Sequence, residues 1–488
     1  MSENIYTRVE FFSGENVPLE MHKARMVQRI NLIPAEDRLE VLTRTGNNTF
    51  LLPNRDVFLD MLTDSGVNAM SEAQYAAMLM ADDSYAGSET FYRLENVIKK
   101  FFGTEYYLPA HQGRACENIL AGVFVDSKTP NVITNYHFTT TKAHIMLRGG
   151  TVHEALSDAA TAVQSDLPFK GDYDMAKFDD FVKKLGRETV AFVRIEAGTN
   201  LIGGQPVSLA SMREVSAYCR KNGLLLVFDA SLLADNLYFI KVREKECHDR
   251  PLADIVKEIA SLMDVIYFSG RKLGCARGGG ICTSNREAYL KMRDLVPLYE
   301  GFLTYGGMSV REMEAMAVGI TETLDIHTIS QTPLFVEALG LELQSKGVPV
   351  VTPFGGLGCH VDAMSFVPQV PQEQYPAAAL CSAIYLVSGC RGMERGTLSE
   401  SRNPDGSEHL SNMELVRLAV PKRVFTHSQI KFAADRIGWL HKHREMIGGL
   451  TFEEEPATLR FFLGRLKPIG DWQRKLVDLY KKEMPSGL

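Results

Sequence analysis

The chain has 488 residues, of which 45% are hydrophobic and 23% charged, and its formal net charge is −7. These are ordinary values for a globular protein, and the length exceeds that of one usual core, so two or three domains are expected. The acidic balance, with no block of Lys and Arg to offset it, argues against nucleic acid as the main partner.

Targeting and redox signals point to a cytoplasmic protein. The opening residues, MSENIYTRVEFF, lack the basic-then-apolar order of a signal peptide. No apolar run approaches the roughly 18 residues of a membrane-spanning helix, so no membrane partner is expected. The eight cysteines are scattered without a C-x-x-C pair, which favours free thiols over disulfides or structural zinc.

From about residue 90 to 285, short apolar runs alternate with amphipathic segments. In PVSLASMREVSAYCRKNGLLLVFDAS, Ser208 or Ser211 can cap a helix, Gly223 can end it, and LLLVF is typical of a strand buried on both faces. Three similar strands are predicted in NVITNYHF, TVAFVRIEAG and DVIYFSG. This alternation predicts an α/β fold with a doubly wound, largely parallel sheet.

The character of the chain changes after about residue 320, where a smaller α+β domain is expected. Its predicted elements are a helix, glycine stop and strand in GLELQSKGVPVVTP, a helix in ALCSAIYLVSG, and a strand in ELVRLAVPKRV with Pro421 near an edge. The N-terminal residues show no βαβ pattern and are expected to pack beside this domain. We therefore expect an N-terminal arm with part of the small domain at 1–60, a large α/β domain at 61–320, and a small C-terminal domain at 321–488.

Two predicted strands end in charged residues that suit one particular cofactor. LLLVFD ends in Asp229, and DVIYFSGRK ends in Arg271 and Lys272. Ligands of such sheets bind at the carboxyl ends of strands. Pyridoxal phosphate needs a lysine for its Schiff base and a carboxylate that keeps its ring nitrogen protonated. A single Asp or Lys in such a place is more often an ordinary solvated loop residue, so other features must decide.

Further residues fit an anion site and an aromatic stacking partner. Gln112, Gly113 and Arg114 directly precede an apolar-periodic helix, whose first N–H groups can bind a phosphate, and Ser269 adds a hydroxyl. Phe138 ends another strand and can stack on a pyridine, although a core aromatic is the commoner explanation. The stretch GRKLGCARGGG lacks the G-x-x-x-x-G-K-[ST] order, and no G-x-G-x-x-G follows a strand, which disfavours a nucleotide site.

A set of long motifs, in order along nearly the whole chain, resembles the tyrosine phenol-lyase and tryptophanase family of β-eliminating lyases. They are LTDSGVNAMS, SYAGSETFYRLE, PAHQGR, NYHFTTT, TNLIGGQPVS, DNLYFIK, YEGFLTYGG, GCRGMERG, VRLAVPKRVFT and LRFF. The resemblance implies the fold-type-I pyridoxal-phosphate-dependent transferase fold, with a mainly parallel seven-stranded sheet and a smaller α+β domain. It also implies catalytic dimers assembled into a homotetramer.

The resemblance assigns roles to the cofactor residues. Lys272 matches the Schiff-base lysine, which as a free amine also abstracts the Cα proton of the substrate. Asp229 matches the partner of the ring nitrogen and Phe138 the stacking residue. The remaining cofactor contacts are Gln112, Gly113, Arg114, Asn200, Ser269 and Arg271, of which Arg271 replaces the first lysine of the family's pair.

The resemblance also assigns the substrate site. Arg417 matches the arginine that binds the α-carboxylate, and Tyr85 the general acid, reaching over from the neighbouring subunit. Thr139, Arg395 and Phe461 follow the phenol-lyase pattern rather than that of tryptophanase, and the first two are implied to hydrogen-bond a phenolic oxygen. Further implied substrate contacts are Thr63, Ser65, Asn200, Phe302, Tyr305 and Leu232.

Three positions depart from the family's pattern. Leu232 stands where the family has an arginine near the cofactor. Asp83 replaces a glutamate that binds a potassium ion, and Arg277 lies near a carbonyl ligand of that ion, which Gly66 also adjoins. We hypothesise that the Arg277 guanidinium fills the cation site and pairs with Asp83; a remodelled potassium site is the alternative.

The leading functional prediction is a β-eliminating carbon–carbon lyase. It would cleave L-tyrosine or a ring-modified tyrosine to a phenol, pyruvate and ammonia through a quinonoid intermediate. The first alternative is a diverged family member, with another aromatic or cysteine-conjugate substrate or with β-replacement chemistry, because of Leu232. The second, a cofactor-binding protein without turnover, is disfavoured by the retained Lys272, Asp229, Arg417 and Tyr85.

Overall fold

The computed structural model describes residues 8–457, 459–484 and 486–488. These residues form two compact units. The first comprises 65–160 and 167–331, and the second comprises 8–64, 161–166 and 332–488.

The strands and helices follow one another in the order given by their numbers. The strands are β1 (Arg8–Glu10), β2 (Asn16–Pro18), β3 (Leu59–Asp60), β4 (Tyr106–Ala110), β5 (Asn131–Thr134), β6 (Thr151–Glu154), β7 (Val190–Glu196), β8 (Leu226–Asp229), β9 (Val265–Ser269), β10 (Gly279–Thr283), β11 (Gly358–Asp362), β12 (Cys390–Arg391), β13 (Met393–Arg395), β14 (Leu415–Ala419), β15 (Leu450–Glu454) and β16 (Arg465–Pro468). The helices are α1 (Ala35–Arg44), α2 (Glu72–Met78), α3 (Glu89–Phe102), α4 (Gly113–Phe124), α5 (Thr139–Met146), α6 (Met175–Leu185), α7 (Leu209–Asn222), α8 (Leu233–Arg243), α9 (Leu252–Leu262), α10 (Gly270–Leu273), α11 (Arg286–Arg293), α12 (Val296–Tyr299), α13 (Val310–Glu322), α14 (Ile326–Ser345), α15 (Ala363–Phe366), α16 (Pro376–Ser388), α17 (His427–Lys442), α18 (Arg460–Leu463) and α19 (Trp472–Glu483).

The first unit is built on a seven-stranded sheet with the order β4-β10-β9-β8-β7-β5-β6. The pairs β5–β6, β5–β7, β7–β8 and β8–β9 are parallel, and β10 is antiparallel to both of its neighbours. Strands β7, β8 and β9 are buried along their whole length, as expected when helices cover both faces of a parallel sheet. The predicted α/β fold with a mainly parallel sheet is confirmed.

Local sequence accounts for the helices that connect these strands. Ser208, rather than Ser211, caps α7 and accepts a hydrogen bond from the Ser211 N–H at 3.0 Å. Gly223 ends the same helix in the left-handed conformation, where a side chain would be strained. The apolar positions between the two caps face the core, so the predicted helix-glycine-strand unit forms.

The second unit is a mixed α and β structure around its own core. Its largest sheet has the order β11-β14-β13, with antiparallel pairing throughout, and α16 is buried along its whole length. The strand predicted in PVVTP is wrong, because only Val350 bridges the sheet, to Val361. Pro349 and Pro353 flank this segment and lack the N–H groups that a longer ladder needs.

All eight cysteines are free and buried. None of the described helices is long and apolar enough to cross a membrane.

Candidate functional site

The residues predicted to bind a cofactor follow strands that end at one edge of the first unit's sheet. Strands β5, β7, β8 and β9 run parallel, and β4 shares their direction because β10 is antiparallel to both β4 and β9. Their last residues are Ala110, Thr134, Glu196, Asp229 and Ser269. Side chains that end or follow these strands therefore gather at one edge, which is the usual ligand edge of such sheets.

The start of α4 packs directly against the end of β9. A Cβ atom at Gly113 would lie 3.1 Å from the Cβ atom of Ser269. A Cβ atom at Gly279 would lie 2.5 Å from the Phe268 carbonyl oxygen and 3.3 Å from the Gly113 nitrogen. Because Gly113 and Gly279 have no side chains, the start of the 12-residue helix α4 can lie close to Ser269. The first N–H groups of α4 and the Ser269 hydroxyl are then available to the same ligand.

Three arginines add positive charge next to this helix start. Burial, followed by the charges of Arg277 and Arg114, lowers the pKa of the half-buried Arg271. The Nε atom of Arg271 is buried and has no hydrogen-bond partner among the described residues. An anion beside Arg271 would supply that acceptor and offset the repulsion between the guanidinium groups, so these residues fit a phosphate group.

Lys272 lies beside Phe138. Its Nζ atom is 5.6 Å from the centroid of the Phe138 ring. Lys272 belongs to α10, the single turn that follows β9, and Phe138 is the residue that precedes α5 after β5. The strands β9 and β5 are not neighbours in the sheet, yet the residues that follow them bring the Lys272 amine and the Phe138 ring close together. One planar ligand could contact both.

Asp229 is buried and accepts hydrogen bonds from three groups. Arg194 Nη2 donates to its Oδ2 at 2.6 Å, and the Tyr267 hydroxyl donates to the same oxygen at 2.9 Å. The Ser231 N–H donates to its Oδ1 at 3.0 Å. The sequence predicted Asp229 as a site residue, but it did not identify Arg194 or Tyr267 as its partners.

Asn200 and Thr139 follow neighbouring strands, and buried carboxylates bind Asn200 and the two residues after Thr139. The Asn200 N–H donates to Glu196 Oε1 at 3.0 Å. Thr139 begins α5, whose next two threonines donate from their hydroxyls to Glu117 at 2.5 and 2.8 Å. Burial and the charge of Asp229 raise the pKa of Glu117 to about 7.

Tyr85 forms an aromatic group with two other predicted substrate residues. Its ring centroid lies 6.2 Å from that of Phe302 and 5.2 Å from that of Tyr305. The hydrogen bond with Tyr305 raises the pKa of Tyr85. Glu300, which was not predicted from the sequence, accepts hydrogen bonds from both the N–H and the ring of His111. These bonds connect the segment after α12, which contains Phe302 and Tyr305, to the end of β4.

Three further predicted substrate residues lie outside regular helices and strands: Leu232 and Ser65 in the first unit, and Thr63 in the second. Leu232 is 6% exposed and directly precedes α8. It packs against Gly198 so closely that a Cβ atom added to this glycine would lie 3.0 Å from the Leu232 Cβ atom. Ser65 is half-buried in the irregular segment that leads towards α2, and Thr63 is similarly placed in the second unit. The structure thus puts an apolar side chain at position 232, in the loop that follows Asp229.

The second unit contains the other predicted substrate residues. Arg417 lies in the middle of β14, and its Nη2 donates to the Leu62 carbonyl at 2.6 Å. Burial lowers the pKa of Arg417 to about 10. Arg395 ends β13, and its guanidinium lies 5.8 Å from the ring centroid of Phe461. Arg395 and Phe461, which the sequence selected separately, are therefore in contact with each other.

The hypothesised pair between Arg277 and Asp83 is wrong. Arg277 Nη1 lies 3.5 Å from Glu312 Oε1, and the Arg277 N–H donates to the same carboxylate at 2.8 Å. Asp83 instead pairs with Arg311, at 3.8 Å. Helix α13 supplies both partners, and nothing in the local sequence around Asp83 or Arg277 indicated it. Gly66, the third position of the predicted cation site, donates its N–H to the Arg271 carbonyl at 3.4 Å.

The charged residues that sequence reasoning missed left one visible signal. Arg194 and Glu196 alternate with apolar residues in TVAFVRIEAG, which was itself predicted to be a buried strand. A charged side chain in a strand buried on both faces requires a partner inside the protein. Glu117 and Tyr267 gave no comparable signal, because one lies on an amphipathic helix and the other is an ordinary core aromatic.

The sheet and its helices are those of the fold-type-I class of pyridoxal-phosphate-dependent enzymes. Serine palmitoyltransferase from S. paucimobilis shares this fold with a TM-score of 0.56 at 13% identity, over 80% of this chain and 89% of that chain. At the level of sequence, the beta-eliminating lyase family matches residues 60–436, and the chain belongs to that family.

Relatives within the family are much closer in sequence. A protein named tyrosine phenol-lyase from Pasteurella multocida (strain Pm70) is 41% identical over 455 residues, which cover 93% of this chain and 99% of that protein. A tyrosine phenol-lyase from Symbiobacterium sp. (strain SC-1) is also 41% identical, over 92% of this chain and 98% of that protein.

Replacement of Glu117 should change how stability depends on pH. The pKa of this carboxyl is raised from 4.5 to about 7. Between these two pH values the folded chain keeps the proton on Glu117, whereas the unfolded chain releases it. Wild-type stability therefore falls as pH rises through this window, by about 3 kcal/mol if Glu117 acts alone. We expect Glu117→Gln to gain about that much relative to the wild type between pH 5 and pH 8, measured by urea unfolding.

The matched control is Glu214→Gln, the same chemical change on an exposed residue of α7. Its stability should run parallel to that of the wild type over the same range. A Glu117→Gln profile that also runs parallel would contradict the buried, protonated state of Glu117.

Proposed function

We propose that this protein is a pyridoxal-phosphate-dependent carbon–carbon lyase that cleaves L-tyrosine, or a ring-modified tyrosine, to a phenol, pyruvate and ammonia. The observation that carries the proposal is the placement of Lys272 beside Phe138, with Asp229 at the end of a strand of the same sheet edge. It occurs in a chain that is 41% identical, over 93% of its length, to a protein named tyrosine phenol-lyase.

Residues of the first unit would hold the cofactor. Lys272 would bind its aldehyde carbon, Asp229 its ring nitrogen and Phe138 one face of its ring. The phosphate would be held by Gln112, Gly113, Arg114, Ser269 and Arg271, and the buried, unpartnered Nε atom of Arg271 supports this assignment. When bound, pyridoxal phosphate withdraws electrons from the α-carbon of an amino acid and so acidifies its Cα–H bond.

The substrate residues suit an amino acid with a phenolic side chain. Arg417 would bind the α-carboxylate, and the burial that lowers its pKa supports a partner of opposite charge. Thr139 and Arg395 would hydrogen-bond the phenolic oxygen, with Phe461 against the ring. Asn200 would contact both the cofactor and the carboxylate, and Thr63 and Ser65 would line the same site.

Two side chains would transfer the protons of the reaction. Lys272 Nζ would remove the Cα proton, and Tyr85 Oη would deliver a proton to the ring carbon that leaves as the phenol. Tyr305 lies against Tyr85, with ring centroids 5.2 Å apart, and would help to orient its hydroxyl. Phe302 stacks on the Tyr85 ring and limits its orientation.

The assembly and cellular setting follow from the same family assignment. We propose a homotetramer of catalytic dimers in the cytoplasm, with Tyr85 serving the neighbouring subunit. Tyr85 is 72% exposed in the single chain, and the large apolar side chains of Leu79 and Met80 are also exposed. Residues 61–320 would form the cofactor-binding domain, with 1–60 and 321–488 forming the arm and the small domain.

Leu232 supports a second candidate within the same chemistry. It places a buried apolar side chain where the family pattern has an arginine that contacts cofactor and substrate. A site without that guanidinium would accept a bulkier or less polar side chain, such as another aromatic amino acid or a cysteine conjugate. It would also be suited to β-replacement.

The direct test is turnover of L-tyrosine by the holoenzyme. We expect release of pyruvate, measured with a coupled lactate dehydrogenase assay, and a roughly thousandfold loss in Lys272→Ala because the Cα base is removed. Lys291→Ala, which changes an exposed lysine of α11, is the matched control and should retain wild-type activity. Pyruvate formation that survives Lys272→Ala would overturn the proposal.

The variant Leu232→Arg distinguishes the two candidates. If phenol-lyase activity is limited by the missing guanidinium, a charge-assisted hydrogen bond of roughly 1.5 kcal/mol should raise kcat/KM for L-tyrosine about tenfold over an S-substituted cysteine. Leu232→Met separates loss of the leucine from gain of the charge. An unchanged ratio of the two substrates in Leu232→Arg would exclude position 232 as the residue that sets specificity.

We also propose that activity does not require potassium. Two of the positions expected to surround the ion are occupied by ion pairs, since Arg277 is paired with Glu312 and Asp83 with Arg311. The dialysed holoenzyme should therefore be equally active in potassium and tetramethylammonium chloride at the same ionic strength. Strong activation by potassium would refute this proposal.

A further inference from the structure

Asp229 lies in surroundings that disfavour negative charge. Burial raises the pKa of Glu196, which ends the neighbouring strand β7 and is paired with Asp229 in the register of the two strands. Burial and the charge of Asp229 also raise the pKa of Glu117 to about 7. Two carboxyl groups near Asp229 thus hold protons more readily than they would in water, and the hydrogen-bond donors of Asp229 are what distinguish it from them.

Arg194 is the main donor, and its position is unusual for an arginine. It lies within β7 and is 1% exposed. Its guanidinium donates to Asp229 at 2.6 Å, to Glu196 at 3.0 Å and to the Tyr267 hydroxyl oxygen at 2.9 Å. Burying a charge without water is costly unless its donors are satisfied, and this set of acceptors satisfies all three nitrogens.

Tyr267 completes the arrangement from the next strand. It accepts a hydrogen bond from Arg194 Nε and donates its own hydroxyl proton to Asp229 Oδ2 at 2.9 Å. Asp229 Oδ2 therefore receives two donors, whereas Oδ1 receives only the Ser231 N–H. A carboxylate oxygen can accept two hydrogen bonds, so Oδ1 keeps the capacity for one further donor.

Arg194 divides its guanidinium between the two acidic residues that it contacts, Asp229 and Glu196. A protonated ring nitrogen next to Asp229 would supply the further donor that Oδ1 can accept.

We propose that Arg194 and Tyr267 are positioning residues that hold negative charge on Asp229, so that the proton shared with the cofactor stays on its ring nitrogen and not on Asp229. This inference rests on the proposed function, because it presumes that Asp229 faces the ring nitrogen of pyridoxal phosphate. Only a protonated ring nitrogen gives the cofactor its full capacity to withdraw electrons. The carbanion chemistry therefore depends on two residues that do not touch the substrate.

The location of the proton can be measured without turnover. The holoenzyme is prepared with pyridoxal phosphate labelled with nitrogen-15 in the ring, and the ring resonance is recorded at pH 7.5. In the wild type we expect the position of a protonated ring nitrogen. We expect a shift towards the unprotonated position in two variants. Tyr267→Phe keeps the shape of the side chain but removes the hydroxyl, and Arg194→Lys keeps the charge but cannot reach three acceptors.

The matched control is Tyr173→Phe. Tyr173 is also a buried tyrosine of the first unit, but its hydroxyl donates to the Arg194 carbonyl at 2.7 Å and makes no contact with Asp229. A purely structural effect of removing a buried hydroxyl would appear in this variant as well. We expect its ring-nitrogen resonance to remain at the wild-type position.

The outcomes separate the two levels of the proposal. If Tyr267→Phe binds the cofactor and its resonance does not move, the inference is overturned and the proposed function stands. If the wild-type chain binds no pyridoxal phosphate, both are overturned. Should Arg194→Lys fail to fold, Tyr267→Phe alone decides, because it removes only one hydroxyl.

Discussion

A guanidinium without water must find its counter-charges inside the protein, and Arg194 finds them on the strands of its own sheet. It contacts Glu196 on β7, Asp229 at the end of β8 and Tyr267 on β9. These bonds join three neighbouring strands at the edge where Lys272, Phe138 and Asn200 also lie. The order of the strands, and not their individual sequences, brings these groups together. The candidate cofactor site and the buried charge cluster are therefore one structure.

The opposite end of the site is governed by positive charge. Burial and then the charges of Arg277 and Arg114 lower the pKa of Arg271, and the start of α4 adds its N–H groups. A site with carboxylates at one end and cations at the other orients a ligand that carries a ring nitrogen and a phosphate. In the second unit, Arg417 and Arg395 are buried.

Much of the first unit was predictable, because its signals are local. Strand β8 is a run of apolar residues that ends in Asp229, α7 has a serine cap and a glycine stop, and Lys272 follows directly on β9. The predicted pair of Arg277 and Asp83 was wrong, since a resemblance between motifs does not show which carboxylate a long side chain reaches. Helix α13 brings Glu312 and Arg311 to these residues. The strand predicted near Val350 was reduced to one bridge because prolines stand on both sides of it.

The sequence by itself determined the family, the α/β fold, and which residues are expected to contact a cofactor and a phenolic substrate. These follow from short motifs and from apolar periodicity, which act over a few residues. Only the tertiary structure decided that Arg194 and Tyr267 hold Asp229, that Glu117 fixes the threonines after Thr139, and that Arg277 pairs with Glu312. Those contacts join residues that are far apart in the chain. Their energies depend on burial and on distances between side chains, and neither quantity exists until the strands have packed.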